Sequence, residues 1–448
     1  MAVTTGIFTN NRSRISKFIT RVWEPFIPVP LLGWLFGAVL AVAIEQLFGL
    51  PLARILGLSR IPALFGVLVV LNDPTNLLLL LGVLLYDILV YILPISVAAR
   101  LTIAPANWIA SRLFNIQGWI SAIIHILLIY GILHIWSDVS DYRLLIVRLT
   151  LIAIIFTLSL NVVNGYMGEF SCSHPGFIAL GAYTASIFTV GLFINDNILG
   201  PALLPASLAA LMFPIGLILG GIVAALGAIL IAVPSFKTRG DYLAIISLAF
   251  TFIIKSLFEN LEFVGGPRGL GNQPNLANLP TVFFWTVLSI WIINNFVRST
   301  LGKALNAVRD DEIAANAMTV NTRRTKFVAF LFAAFWAGLA GGLFAHVIRY
   351  VNPSTFGLQM LAEVLAMVYF GGLNSVQGSI VGAVSINLLS EALRPLEIFK
   401  WIVIPLLLIV IMVFRPTGLI SFKEFDFFKI IQPKRTSQKD VEYAPTAD

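Results

Sequence analysis

The stretch Leu160-Asn161-Val162-Val163-Asn164-Gly165-Tyr166-Met167-Gly168-Glu169-Phe170-Ser171-Cys172-Ser173-His174-Pro175-Gly176-Phe177, continuing to Gly181-Ala182-Tyr183-Thr184, interrupts two long apolar runs, 144–163 and 175–194. Each run has about 20 residues, the length an α-helix needs to cross a hydrocarbon core of roughly 30 Å. Neither alternates with the period of two that a membrane barrel strand requires. A polar, glycine-rich interruption between two such helices frees backbone groups that can bind a polar solute, and an ordinary interhelical loop is the other reading.

The same pattern extends outward. The chain has 448 residues, 58% of them apolar and 11% charged, and its mean hydropathy is +0.92. A soluble domain is about a quarter charged, and single cores stop growing at roughly 250–300 residues. The surplus apolar surface therefore faces lipid. Disorder and a disulfide scaffold are excluded by the same composition, since Cys172 stands alone.

Further apolar runs lie near 31–50, 77–99, 119–136, 211–233, 242–258, 281–297, 326–350, 358–372, 377–393 and 398–414. Together they predict an all-α integral membrane protein with about 12 spans. Residues 51–71 carry Pro51, Arg54, Arg60 and Pro62 and read as a short interfacial or re-entrant helix. The runs 358–372 and 377–393 are joined by Gly371-Gly372-Leu373-Asn374. Such a break is tolerated at membrane depth only where other protein or a water-filled cavity satisfies the freed backbone. Gly216/Gly220, Gly338/Gly342 and Gly378/Gly382 are small pairs at four-residue spacing, suited to close helix packing. Ionisable residues within the runs are few: Asp87 lies mid-span, and Glu45, Lys255 and Glu363 lie nearer span ends.

Basic residues set the expected orientation. Arg298, Lys303, Arg309, Arg323, Arg324 and Lys326 fall in the loop 298–326, and Arg415, Lys423, Lys429, Lys434, Arg435 and Lys439 follow residue 414. Placing both segments inside and alternating across the spans also puts Arg12, Arg14, Lys17, Arg21, Arg100, Arg112, Lys237 and Arg239 inside. Both termini are then cytoplasmic, with Arg54 and Arg60 dissenting. The +7 charge is thus a positive-inside signature rather than a nucleic-acid footprint. The apolar run after Pro30 is too long for a cleavable signal and predicts a retained helix.

Catalytic patterns are missing from the sequence. There is no G-x-x-x-x-G-K-[ST], G-x-S-x-G or H-E-x-x-H, and Cys172-x-His174 has no second ligand pair nearby. No metal site is expected. The segment Leu301–Thr325 is polar, with Leu301, Leu305, Val308, Ala315 and Met318 at helical spacing on one side. Within it, Glu312-Ile313-Ala314-Ala315 offers a carboxylate followed by small residues, suited either to docking another protein or to lying at the membrane interface.

Residues 119–414 resemble the membrane permease subunit of branched-chain amino acid ABC importers, of LivM type. The matching pieces occur in the family's order: Leu160-Asn161 through Gly165-Tyr166-Met167-Gly168 and Gly181-Ala182-Tyr183, then Arg239-Gly240-Asp241-Tyr242-Leu243-Ala244-Ile245, then Gly265-Gly266-Pro267-Arg268-Gly269. Leu301 to Ala315 and Tyr369-Phe370-Gly371-Gly372-Leu373-Asn374-Ser375-Val376-Gln377-Gly378 follow. The resemblance implies a non-catalytic subunit in a bacterial inner membrane that moves neutral amino acids by alternating access. Its implied partners are a second, LivH-like permease, two ATPases that use ATP and Mg, and an external solute-binding protein. This chain would bind no cofactor itself.

The resemblance also implies an ATPase-coupling loop at Arg309, Asp310, Asp311, Glu312, Ala314 and Ala315. Asn161, Asn164, Tyr166, Tyr183 and Asn374 are candidate pathway residues, and Gly165, Gly168, Gly265, Gly266, Gly371 and Gly372 mark helix breaks or packing. The family often has a glycine shortly after the acidic-alanine stretch, where this chain reads Met318-Thr319-Val320. A urea or short-amide permease and an ion-coupled secondary transporter are the rival readings. Residues 1–118 are expected to form an N-terminal extension of about two spans, 119–414 the permease core of about ten, and 415–448 a polar cytoplasmic tail.

Overall fold

A hydrocarbon core offers the backbone no water, so an apolar run must satisfy its own N–H and C=O groups, which a helix does. In the computed structural model, which describes residues 24–58, 61–62, 77–196, 198–236, 242–394, 397–415 and 417–434, the apolar runs are helical. Among the described residues, nine helices are long and apolar enough to cross a membrane, with shorter apolar helices besides. Among the described residues, only the isolated bridges Asp196–Gly200 and Leu270–Val351 have β character. The basic residues expected inside at 12–21, 237, 239, 435 and 439 lie outside the described residues, as does Arg60.

The chain divides into two packed units, Met1–Val139 with Asp426–Asp448, and Ser140–Phe425. In the first unit, α1 (Leu31–Ile55) is followed by α2 (Leu77–Asp87), a π-helical segment Ile88–Ile92, α3 (Leu93–Leu101), α4 (Ile103–Ile116) and α5 (Gly118–Ser137). α1 runs through Pro51, where the sequence reading began a separate interfacial helix. It stops because Gly57, at φ +78, turns left-handed, so that Leu58 N–H reaches Ala53 O at 2.8 Å and Gly57 N–H reaches Arg54 O at 3.1 Å. Most of the remainder of that predicted segment, 63–71, lies outside the described residues.

Glu45 is 1% exposed. A carboxylate placed there must have donors, and the Tyr91 hydroxyl donates to it at 2.7 Å. Trp136 Nε1 in turn donates to Tyr91 at 3.3 Å. α4 was not foreseen: at 14 residues it is too short for a span. Its Asn107 side chain donates to Pro28 O at 3.3 Å and accepts from Lys434 N–H at 2.8 Å, joining both ends of the unit.

In the second unit, α6 (Asp141–Asn161) is the central helix: 83% of its span is buried, against 11% for α5 in its own unit. The unit also holds α7 (His174–Phe193), α8 (Ala209–Ser235), α9 (Tyr242–Asn260), α10 (Leu279–Arg298) and α13 (Thr322–Ile348), of which α10 and α13 pack directly on α6. Between α10 and α13 lie the short helices α11 (Thr300–Asp310) and α12 (Glu312–Ala317), and α14 (Leu358–Gly371), α15 (Val376–Ala392) and α16 (Glu397–Phe414) complete the unit.

α7, α8 and α13 cross where Gly181, Gly220 and Gly338 meet. A β-carbon on Gly181 would overlap the Gly338 backbone, and one on Gly338 would stand 2.7 Å from Gly220 O. Close backbone approach of this kind replaces the hydrophobic drive that helices lack in lipid. Leu211, Leu230, Ile253 and Trp291 point outward from neighbouring faces and are exposed, as lipid-facing side chains must be.

Gly181→Ala therefore forces the helices apart against backbone that cannot yield. The expected loss is about 1–3 kcal/mol, read as a lower melting midpoint of the purified protein in detergent. An unchanged midpoint would contradict the tight crossing.

Candidate functional site

α6 does not end in an ordinary cap. It widens into a π-helical turn, Val162–Met167, and stops at Gly168, whose φ of +78 sends its N–H back to Val163 O. One-turn π segments of this type accommodate an extra residue and recur at functional sites. Just before the turn, Asn161 is 1% exposed and its amide is fully engaged. Nδ2 donates to Ser379 Oγ at 2.6 Å, Ser375 O at 3.1 Å and Gly372 O at 3.3 Å. Oδ1 accepts Asn374 N–H at 3.1 Å. Asn161 thus ties the first helix break to the second.

The second break is Gly371–Asn374, between α14 and α15. Its freed backbone is satisfied by the segment just past α16. Leu373 N–H donates to Thr417 O at 3.1 Å, Leu419 N–H to Phe370 O at 3.1 Å, and Ile420 N–H to Gly371 O at 2.8 Å. Other protein thus satisfies the backbone groups that the break sets free. Glycine is required at Gly372, where φ is +132 and a β-carbon would strike Ile420 O. Asn374 also sits at positive φ, +55, a conformation that asparagine tolerates better than most residues.

The polar loop grips the first break. Ser299, Asp311 and Asn321 each cap a helix start: Ser299 Oγ accepts Gly302 N–H at 3.4 Å, Asp311 Oδ1 accepts Ile313 and Ala314 N–H at 2.9 and 3.0 Å, and Asn321 Oδ1 accepts Arg324 N–H at 3.0 Å. Three successive caps turn the predicted amphipathic stretch into separate helices. Leu305, Val308 and Ala315 are buried as the spacing predicts, but Met318 is 76% exposed. The helix restarts at Asp311, so Met318 falls out of the register that the spacing assumed.

Arg309 lays its stem in the space that Gly168 leaves by lacking a side chain. Its Nη1 donates to Gly165 O at 3.4 Å, its Nη2 pairs with Asp310 at 2.7 Å, and its guanidinium lies 5.1 Å from the Phe422 ring centroid. Lys326, 8% exposed, pairs with Glu169 at 2.7 Å and with Glu312 at 2.8 Å. Sequence reasoning counted Lys326 only as a basic-inside residue and passed over Glu169. Nothing in the spacing marks a pair 157 positions apart.

The other predicted residues fall in different surroundings. Asn164 Oδ1 accepts Ser171 N–H at 3.2 Å, while its Nδ2 and the Asn374 Oδ1 make no hydrogen bond among the described residues. Tyr166 is buried beside them. Tyr183 stands apart, stacked 3.9 Å from Phe258. Gly265 and Gly266, both at positive φ, shape a turn whose Leu270 exchanges two 2.9 Å hydrogen bonds with Val351. The Tyr350 hydroxyl donates to Arg268 O and Arg349 Nε to Gln273 O in the same clamp. Arg349 follows the end of α13 and Lys326 lies near its start, roughly 35 Å apart at 1.5 Å per residue. The clamp and the polar loop therefore sit at opposite ends of a membrane-spanning helix.

Two substitutions probe this geometry. Asn161→Ala removes the partner of the Gly372 carbonyl and of the Asn374 N–H, a loss of about 1–3 kcal/mol visible as a lower melting midpoint. α12 ends with Val320 N–H on Ala315 O at 3.1 Å and Thr319 N–H on Asn316 O at 3.2 Å, which places Thr319 at φ +69. This is the left-handed position that glycine fills in such caps. Thr319→Gly is expected to stabilise the protein by about 0.5–1 kcal/mol and to raise the same midpoint.

Residues 142–414 match the family model described as "Branched-chain amino acid transport system / permease component". The high-affinity branched-chain amino acid transport system permease protein LivM of Escherichia coli (strain K12) is 32% identical over 310 residues, covering 61% of this chain and 69% of LivM. LivM of Salmonella typhimurium matches to the same extent. BraD of Pseudomonas aeruginosa, a permease protein of the same kind of system, is 28% identical over 152 residues, covering 32% of this chain and 48% of BraD. No solved structure matches. Within the second unit the matched region takes in every break, cap and clamp described above except the segment past α16, and on that ground the chain belongs to the permease-component family of branched-chain amino acid transport systems.

Proposed function

We propose that the chain carries branched-chain or other neutral amino acids inward across a bacterial inner membrane by alternating access. It does so as one of two permeases, paired with a LivH-like partner and fed by an external solute-binding protein. ATP and Mg are used by two separate ATPase subunits, and this chain holds neither. With the polar loop on the cytoplasmic side, its basic residues and both termini follow the positive-inside rule.

The observation that carries this reading is the surface of α12. Ile313 is 77% exposed and Met318 76% exposed, on a short helix surrounded by charged residues and held rigid by its caps. Two large apolar side chains raised from a polar loop fit a protein partner better than they fit water. The unused Asn164 and Asn374 groups next to the broken helices supply the donor and acceptor that a zwitterion needs where it passes.

The experiment is affinity purification of the complex carrying Ile313→Ser and Met318→Ser. Burial of such side chains is worth about 1.5–3 kcal/mol each, so recovery of the ATPases is expected to fall at least about tenfold while the second permease is retained. Undiminished ATPase recovery would refute the docking assignment. Competition of uptake by leucine, alanine and urea identifies the cargo: leucine inhibits most if the reading holds, and inhibition by urea alone replaces it with a short-amide permease.

A further inference from the structure

We propose that Lys326 is a positioning residue for transport, passing movement of the α11–α12 loop to the broken end of α6. The proposal rests on the docking reading above and adds how force applied at that surface reaches the membrane helices.

The argument starts from where the tethers end. Glu312 is the first residue of α12, directly after the Asp311 cap, so its backbone moves with the docking helix. Its carboxylate meets Lys326 Nζ at 2.8 Å, and the same ammonium holds Glu169 at 2.7 Å. Glu169 directly follows Gly168, the residue that terminates the π turn. A lysine ammonium has three donors and no acceptor, so it can hold two carboxylates that would otherwise repel each other. The Lys326 side chain is 10% exposed, against 26% for Glu169 and 50% for Glu312. The cation is therefore the sheltered centre of the triad, with its partners reaching toward water.

A second tether runs in parallel. Arg309 reaches Gly165 O at 3.4 Å and packs on Gly168, so both links from the loop end within the five residues 165–169. One turn earlier, Asn161 binds Ser375, Ser379 and Gly372. A π turn holds about one more residue per turn than the α-helix that leads into it and recurs at functional sites, and in the proposed coupling it is the element that shifts. Coupling between distant sites needs a bistable element. Pulling Glu169 through Lys326 biases this turn, and Asn161 carries the change to the Gly371–Asn374 break.

A merely structural Lys326 would affect folding or ATPase binding. A positioning Lys326 affects how much solute moves per ATP. The test uses the complete complex with both permeases and both ATPases in proteoliposomes, and compares Lys326→Met, Glu169→Gln, the double variant and Lys326→Arg. Lys326→Met leaves two carboxylates that already reach solvent, so the chain is expected to assemble.

The expected result is retained ATPases, continued ATP hydrolysis, and uptake per ATP reduced about tenfold, within the 5–150-fold span of measured couplings. Glu169→Gln lowers the same ratio, the double variant falls no further than Lys326→Met alone, and Lys326→Arg restores at least half. Uptake per ATP within about twofold of wild type overturns the proposal, as do loss of the ATPases from Lys326→Met or multiplicative effects in the double variant. If Lys326→Met fails to assemble, Glu169→Gln decides alone, because it keeps side-chain shape and the Lys326–Glu312 pair. A failure of the docking reading itself shows separately, as retention of ATPases by the Ile313 and Met318 variant.

Discussion

An unsatisfied peptide group in hydrocarbon costs several kcal/mol, and every irregular feature of the second unit is arranged around that cost. α6 widens into a π turn and α14 ends at Gly371, each beside buried apolar helices. The π turn of α6 answers by bonding to its own carbonyls through Gly168 and Glu169. The gap after α14 is closed by backbone from residues 417–420 and by the Asn161 amide. One asparagine side chain serves both breaks, so neither can move without disturbing the other.

Glycine sets how closely these parts approach. Gly181, Gly220 and Gly338 bring three helices to backbone contact, and Gly371, Gly378 and Gly382 do the same for α14 and α15. In lipid, where apolar side chains gain nothing from leaving their surroundings, close packing is the principal attraction available. The result is a central bundle that is tight near the breaks, with the polar loop fastened to it through Arg309 and Lys326. The loop is built from three capped starts rather than one long helix, which aims Ile313 and Met318 away from the membrane helices.

Much of this was legible in the sequence, for physical reasons that differ by element. The spans were readable because crossing a bilayer is a demand on a continuous stretch of about 20 residues, and hydropathy is local. The demand for an external partner at Gly371–Asn374 was readable too, since two short apolar runs joined by glycines leave backbone groups free. The identity of that partner was not: residues 417–420 look like the start of a polar tail. α4 escaped because a helix of 14 residues shares neither the length of a span nor the polarity of a loop. Pro51 misled in the opposite sense, because α1 continues through it to Ile55 although a proline there forgoes a backbone hydrogen bond.

The sequence by itself determined that this chain is an all-α membrane permease of its family and where its apolar runs lie. These follow from composition, from local runs and from motifs whose order along the chain is itself the signal. Only the tertiary structure decided what each break is held by and which polar groups remain unused. Asn161 and Asn164 are three positions apart and look alike as letters. One is consumed by Ser375, Ser379 and Gly372, while the other keeps Nδ2 without a hydrogen bond among the described residues. Lys326 likewise became more than a basic residue only when folding set it between Glu169 and Glu312, because an ion pair depends on a few ångströms in space and not on distance along the chain.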